Sequence, residues 1–474
     1  MPTHSQNATI EPAIPYGDRQ LRDQNEALSL ADDVVQRALR AGADEADAIL
    51  SAGTEFEVTV RQGEIDRLIE AGSKALGLRV YVGGRPAVRY TSDFTSPADL
   101  EMFARDTVEL AAITDPDPAG GLPDPEEWAQ RFGGDLRLYD PSMSGVPNDE
   151  KIEAARRCEE AAFAFDPRVT NSDGATCSTG EVMTVLVNSK GFAGAYAATS
   201  AALQIEVMAD DADGKKRNDY WLSVDCFFRD LESPERVGRE AAERAVAQLG
   251  PRKPQTRKVP VVWENRLAQR LASLIARAAS GEALYRRQTF LMDLEGEQMA
   301  SALVSIVDAP LLPGRMGSRP FDGEGVTSRR NQLVEDGIFR SFLFDTYTAR
   351  KIGRRTTGSA SRGIAGRPGV GTTNLIFEPG DSSYEDVIAS VDEGLLLTVL
   401  MGMGTNLTTG DFSQGAAGYW IEKGKIAYPV TEINVSGNLR EMLKDIDMVG
   451  NDLFVRGPAA SPTVRMSKLM VSGL

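Results

Sequence analysis

Across residues 24–41, apolar side chains at Leu28, Leu30, Ala31, Val34, Val35, Ala38 and Leu39 recur at helical spacing and Gly42 supplies a stop, so an amphipathic helix is predicted. The period then falls to two. Residues 46–69 alternate through Phe56, Val58 and Val60, and residues 75–90 through Leu76, Leu78 and Val80, which predicts strands turning at Gly63 and at Gly83-Gly84. A second helix is expected from Ser96-Pro97 to Ile113, because Ser caps, Pro suits the first helical position and Asp99 sits where a capping carboxylate reaches back. A Pro/Asp/Gly stretch at 115–126 breaks it. A second cycle follows, with a helix at 149–165, strands through 181–187, 192–208 and 220–229, and a helix from Ser233-Pro234 to Leu249. The two Ser-Pro starts hint at a duplicated layout, although such caps are common.

Residues 251–260 (PRKPQTRKVP) read as an interdomain linker, since the prolines lack donors and the charges resist burial. Beyond it come a short strand at 261–263, a helix at 266–279 and many short strands separated by glycine turns. One further helix is marked by Ser383 as cap, Asp386 at the third position and Gly394 past the end. Strands and helices come in runs rather than in strand-helix-strand units. The expected class is therefore α+β, with two domains of mostly antiparallel sheet, the C-terminal one β-rich. The division is a disordered arm at 1–23, an N-terminal α+β domain at 24–250, the linker, and a C-terminal domain at 261–474.

Composition narrows the chemistry. The chain has 474 residues, 42% hydrophobic and 26% charged, enough for two buried cores. Residues 1–23 are polar with Pro2, Pro12 and Pro15 and lack an export signal, and no apolar run is long enough to span a bilayer, so a cytoplasmic location without membrane contact is expected. Cys158, Cys177 and Cys226 suit buried free thiols better than a disulfide framework. A formal charge of −17 repels phosphates and argues against nucleic acid as a partner. The one histidine, His4, lies in the arm, which removes both a His-rich zinc site and a Ser-His or Cys-His pair. No paired-carboxylate motif replaces them. The acidic run at 210–214 resembles only half a calcium loop and reads as a solvated turn.

Three segments carry a resemblance: 346–358 (TYTARKIGRRTTG), 371–380 (GTTNLIFEPG) and 409–430 (TGDFSQGAAGYWIEKGKIAYPV), with support at 434–453, around Val60 to Glu64, and at 75–80. Together they resemble the signature of the TldD/PmbA family of peptidases, over nearly the whole chain after the arm. By itself the stretch 419–430 reads as a hairpin turning at Lys423-Gly424, with Tyr419, Trp420 and Tyr428 as packing residues. Thr409, Gly410, Asp411, Phe412 and Ser413 read either as a self-satisfied turn or as a contact for substrate or partner. Arg329, Arg330, Arg350, Lys351, Arg354, Arg355, Arg362 and Arg367 concentrate positive charge, as an internal ion-pair network or as a surface for a peptide or a partner subunit, for which Arg350, Arg354 and Arg355 are the candidates.

The family has two branches. The TldD-like branch carries HExxxH on a helix, two ligands and a glutamate acting on metal-bound water, with a late cysteine as third ligand. Here the matching stretch reads LIARAASG: the ligand positions are Ala276 and Gly281, the glutamate position is Arg277, and no cysteine follows Cys226. The resemblance therefore implies a PmbA (TldE)-like chain with no catalytic residue and no metal or other cofactor of its own. Zinc is expected in a TldD-like metallopeptidase partner, with peptides or unfolded proteins as substrates. Roles in maturing ribosomally made peptides such as microcins and in degrading small proteins are implied. The alternative is a stand-alone homodimeric peptide-binding or scaffold protein.

Overall fold

The computed structural model describes residues 24–94, 96–129 and 134–473; the arm expected at 1–23 lies outside them. Helix α1 (Gln24–Arg40) leads into β1 (Glu45–Arg61), β2 (Glu64–Val82) and β3 (Arg85–Thr91), and α2 (Pro97–Ala112) closes the unit. Gln62 and Gly63 at φ 54° and 78° make the left-handed pair that a two-residue hairpin needs, and Gly83-Gly84 repeat it at 54° and 75°. Strand β2 runs without the interruption expected between residues 69 and 75. Ser96 caps α2 through the Ala98 N–H.

The same order recurs in α3 (Asn148–Phe165), β4 (Val169–Asn188), β5 (Ala193–Asp210), β6 (Lys216–Asp225) and α4 (Pro234–Ala247), whose cap is Ser233. The two units share one antiparallel sheet in the order β3-β2-β1-β4-β5-β6. The duplicated layout hinted at by the caps is present in this order of elements. Strand β4 begins at Val169, well before the expected 181, because its polar first half (VTNSDGATCSTG) gains order from pairing with β5 and then β1 on either side rather than from its own apolar pattern.

Alternation along β1 assigns the two faces. Ala46, Ala48, Leu50 and Ala52 pack with α1 and α2, while Phe56, Val58 and Val60 pack with α3 and α4. Ile49, on the other face, joins Leu186 and Phe192 of the same half and Phe321 from the C-terminal half. A buried charge cluster reinforces that contact. Arg79 bonds Asp47 and, at 3.1 Å, Glu324, while Arg362 reaches Asp47 at 2.6 Å. Burial raises the Asp47 carboxyl, but Arg362 and Arg79 outweigh it and hold the group below the usual carboxylate range.

The expected linker is shortened by strand β7 (Arg257–Trp263), which lies in the middle of a second six-stranded sheet. It pairs in parallel with Glu393–Met401 and antiparallel with Val464–Ser472. The register with the latter slips between Met466 and Leu469, opposite Pro260, which has no N–H to offer. Gly394 belongs to this sheet and is not a helix stop: an added Cβ there would sit 2.4 Å from the Pro260 carbonyl oxygen. Helix α5 (Asn265–Ala278) packs Leu267, Leu271 and Ile275 into the large C-terminal core with Trp263 and Trp420. Short helices α6 (Gly281–Tyr285), α7 (Thr346–Lys351) and α8 (Tyr384–Ala389) follow, with Ser383 capping α8 as expected. A third six-stranded sheet of short strands, spanning Ile306–Asp308 to Ala459–Ser461, completes a β-rich half in which most pairings are antiparallel.

Candidate functional site

Helix α5 turns an apolar face to the core, and Ser273 and Arg277, four residues apart, are its exposed residues. With the nearly buried Ala276 they line a cleft of about 940 Å³. Glu282 and Arg286, ion-paired at 2.9 Å, and Gln288 form one end. Val370 to Thr372 and the loop Thr405 to Thr408 also line the cleft. The α5 helix does not run through to Gly281. It stops at Ala278, Ser280 caps α6 through the Ala283 N–H at 3.2 Å, and Gly281 donates its N–H to the Leu343 carbonyl at 2.7 Å. Gly281 is buried, and an added Cβ would meet Phe344 Cδ1 at 2.4 Å and Thr348 Oγ1 at 2.6 Å.

The other expected contact residues are dispersed. Thr409, Gly410 and Asp411 adjoin the cleft loop but satisfy one another: the Thr409 hydroxyl donates to Asp411 at 2.6 Å, and Asn438 donates to both Asp411 and the Thr409 carbonyl. Those hydrogen bonds hold the Asp411 carboxyl below the usual range. Phe412 is a core residue, 2% exposed, with its ring 5.9 Å from that of Trp263, so it is withdrawn from any surface. Ser413 donates its N–H to Gly404 at 2.7 Å.

The basic run does not form one surface. Arg350 donates to the Leu122 carbonyl, Lys351 pairs with Asp117, Arg354 with Glu295 and Arg330 with Glu378, each at 2.5–2.8 Å. The Arg362 side chain is fully buried. Arg355 and Arg367 are exposed. The network reading thus covers most of the run, because its carboxylate partners lie far away in sequence. The acidic run at 210–214 is likewise an ion-paired turn, with Asp211 and Asp213 both on Arg217 at 2.8 Å. Ser273, Arg286, Gln288, Thr372 and Asn406 of the cleft were not anticipated. The Ser273/Arg277 spacing on an apolar helix was the available signal.

Models of the PmbA/TldA metallopeptidase match the chain in three stretches: domain 1 at 46–111, the central domain at 141–249 and the C-terminal domain at 256–473. Metalloprotease PmbA of Escherichia coli O157:H7 is 35% identical over 431 residues, covering 91% of this chain and 92% of the relative. The chain belongs to the PmbA/TldD family. A PmbA homolog of Haemophilus influenzae is 33% identical over 96% of this chain and 97% of its own length. In three dimensions, a Bacteroides thetaiotaomicron protein described as a candidate modulator of DNA gyrase superimposes with a TM-score of 0.89 at 30% identity, over 96% of this chain and all of that one. TldE from Thermococcus kodakarensis shares the fold, with a TM-score of 0.83 at 20% identity, covering 94% of this chain and 100% of that one.

A metallopeptidase family implies a metal ion, and the residues at this cleft do not fit one. Ala276 and Gly281 carry no side-chain donor atom, and Arg277 adds a positive charge to the cleft. Among the described residues no cluster of three or more His, Cys, Asp or Glu side chains is placed to hold a metal. Among them, too, no helix is long and apolar enough to cross a membrane.

Proposed function

We propose that this chain is the non-catalytic, PmbA/TldE-like subunit of a cytosolic two-subunit peptidase, in which a TldD-like partner supplies the zinc and this chain shapes the chamber that receives peptides or small unfolded proteins. One observation carries the reading: the cleft beside α5 is open and is lined by Ala276 and Arg277, which with the buried Gly281 beside it are the three positions that match the family's metal motif. A cleft of about 940 Å³ has room for a short stretch of peptide, with Ser273, Arg277, Gln288 and Thr372 among the polar side chains that line it.

The test is to purify this chain and a TldD-like protein, then measure zinc content and peptide cleavage for each alone and for the mixture. Cleavage by the mixture, with zinc carried by the partner and none held stoichiometrically by this chain, is expected. Turnover by this chain alone with tightly held zinc would refute the reading. A pull-down from native cytosol that returned only copies of this chain would favour the homodimeric binding protein instead.

A further inference from the structure

The charges of the cleft beside α5 do not cancel. Three ionisable side chains line it, Arg277, Glu282 and Arg286, and the last two are paired with each other at 2.9 Å. Arg277 is left over: it is exposed, and among the described residues its guanidinium has neither an ion-pair nor a hydrogen-bond partner. Two turns back on the same side of the helix, Arg270 donates to the Leu400 carbonyl at 3.2 Å, which leaves its charge without a carboxylate. An exposed arginine without a partner is ordinary on an open surface, as at Arg355 and Arg367. In a cleft of about 940 Å³ the same charge faces whatever the cleft holds, and low-dielectric walls strengthen its field.

The neutral lining points the same way. Gln288, Thr372 and Thr408 are exposed to the cleft, and their side chains make no hydrogen bond among the described residues. Each can donate, and the only carboxylate in the lining, Glu282, is taken by Arg286. A site that offers donors and one uncompensated guanidinium complements a carboxylate, which accepts two parallel N–H bonds from that fork. We propose that the cleft selects peptides bearing a carboxylate and that Arg277 is the residue that sets this preference, with Gln288, Thr372 and Thr408 as neutral donors around it. The proposal rests on the peptide-chamber reading for the class of ligand and adds its charge. An Asp or Glu side chain and a free C-terminus supply the same chemistry.

The test uses short N-acetylated peptides of one sequence: a neutral amidated form, an amidated form with one glutamate in place of a glutamine, and a neutral form with a free C-terminus. Isothermal titration at constant ionic strength reads binding to the chain alone, and kcat/KM reads cleavage by its mixture with a zinc-bearing TldD-like protein. A carboxylate-bearing peptide is expected to bind about five- to tenfold tighter than the neutral one. Arg277→Gln, at an exposed position, should fold normally and lose that preference, whereas Arg229→Gln, which removes an exposed charge from the N-terminal half, should keep it. Preference for the glutamate peptide assigns the side chain, and preference for the free C-terminus assigns the peptide end. Equal affinity for all three peptides, or a preference that survives in Arg277→Gln, overturns the proposal, and cleavage by the mixture would then leave the subunit reading standing. An Arg277-dependent preference in a chain whose mixture does not cleave supports the proposal and removes the subunit reading alone; no peptide bound or cleaved overturns both.

Discussion

Restoring the missing metal ligands is a demanding test of the cleft, because the three positions have different surroundings. Arg277 is exposed, so Arg277→Glu should change stability by no more than about 0.5 kcal/mol. Ala276 lines the cleft but is 5% exposed and packs in the C-terminal core, so a histidine there can place its ring only on the narrow side that meets the cleft, at a cost of about 1–3 kcal/mol. Gly281 has no such room. A Cβ alone would sit 2.4 Å from Phe344 Cδ1, where carbon contacts settle near 3.5–4.0 Å, so Phe344 or the backbone must move by about 1 Å. Phe344 and Thr348 are themselves buried, at 2% and 4% exposure. Thr348 is also part of the α7 cap, donating both its N–H and its hydroxyl to Asp345.

Overpacking of this kind costs about 1–3 kcal/mol, and disturbing the cap adds about 1 kcal/mol. Gly281→His is therefore expected to lose about 2–4 kcal/mol, a drop in Tm of several degrees. The double variant Ala276→His/Arg277→Glu should lose about 1–3 kcal/mol, from the overpacking at Ala276, and hold no stoichiometric zinc, since one histidine and one glutamate leave the site short of ligands. The triple variant should be destabilised and equally empty. Scanning calorimetry and elemental analysis after dialysis measure both. A triple variant that melted normally and retained one zinc per chain would show that the cleft needed only its donors restored, and the steric argument would be wrong.

Four further outcomes follow from the packing. Phe412→Ala should cost about 3–5 kcal/mol, read by denaturant midpoint, with no peptide-binding effect beyond it, since the ring lies in the core. Asp47→Ala leaves Arg79 and Arg362 buried without their shared carboxylate and should cost about 3–5 kcal/mol, whereas Arg354→Ala, at the exposed Glu295 pair, should cost at most about 1 kcal/mol. Burial, then the charge of Glu324, pushes the Asp322 carboxyl up to about 7, so the folded chain keeps a proton that the unfolded chain releases near pH 4. Stability from this group is therefore lost as pH rises from about 4 to 7 and levels off above, with a slope of at most about 1.4 kcal/mol per pH unit. Tm measured from pH 5 to 8 should fall less steeply in Asp322→Asn; an unchanged slope would rule Asp322 out as its source.

What could be read from the sequence divides by how local its cause is. The caps at Ser96, Ser233 and Ser383, the hairpin turns at Gly63 and Lys423-Gly424 and the amphipathic α1 and α5 depend on neighbours within a few residues, and each lies where expected. The first half of β4 and the start of β7, residues 257–260, do not. Lys258 pairs with Met470 and Val259 with Leu469, contacts that no local pattern encodes, and the end of a segment that looks like a linker extends the strand expected at 261–263. Gly394 fails for the same reason, since its small size serves the approach of Pro260 across the sheet and not a helix end.

The candidate site divides along the same line. That Ala276 and Gly281 carry no donor is a property of residue identity, true in any fold the chain adopts. That Arg350, Arg354 and Arg362 could serve a partner depended on where carboxylates and carbonyls would fall. The fold brings Glu295, Leu122 and Asp47 to them from elsewhere in the chain. A run of charge therefore predicts its own neutralisation as readily as a binding surface, and the two are separated only by tertiary contacts.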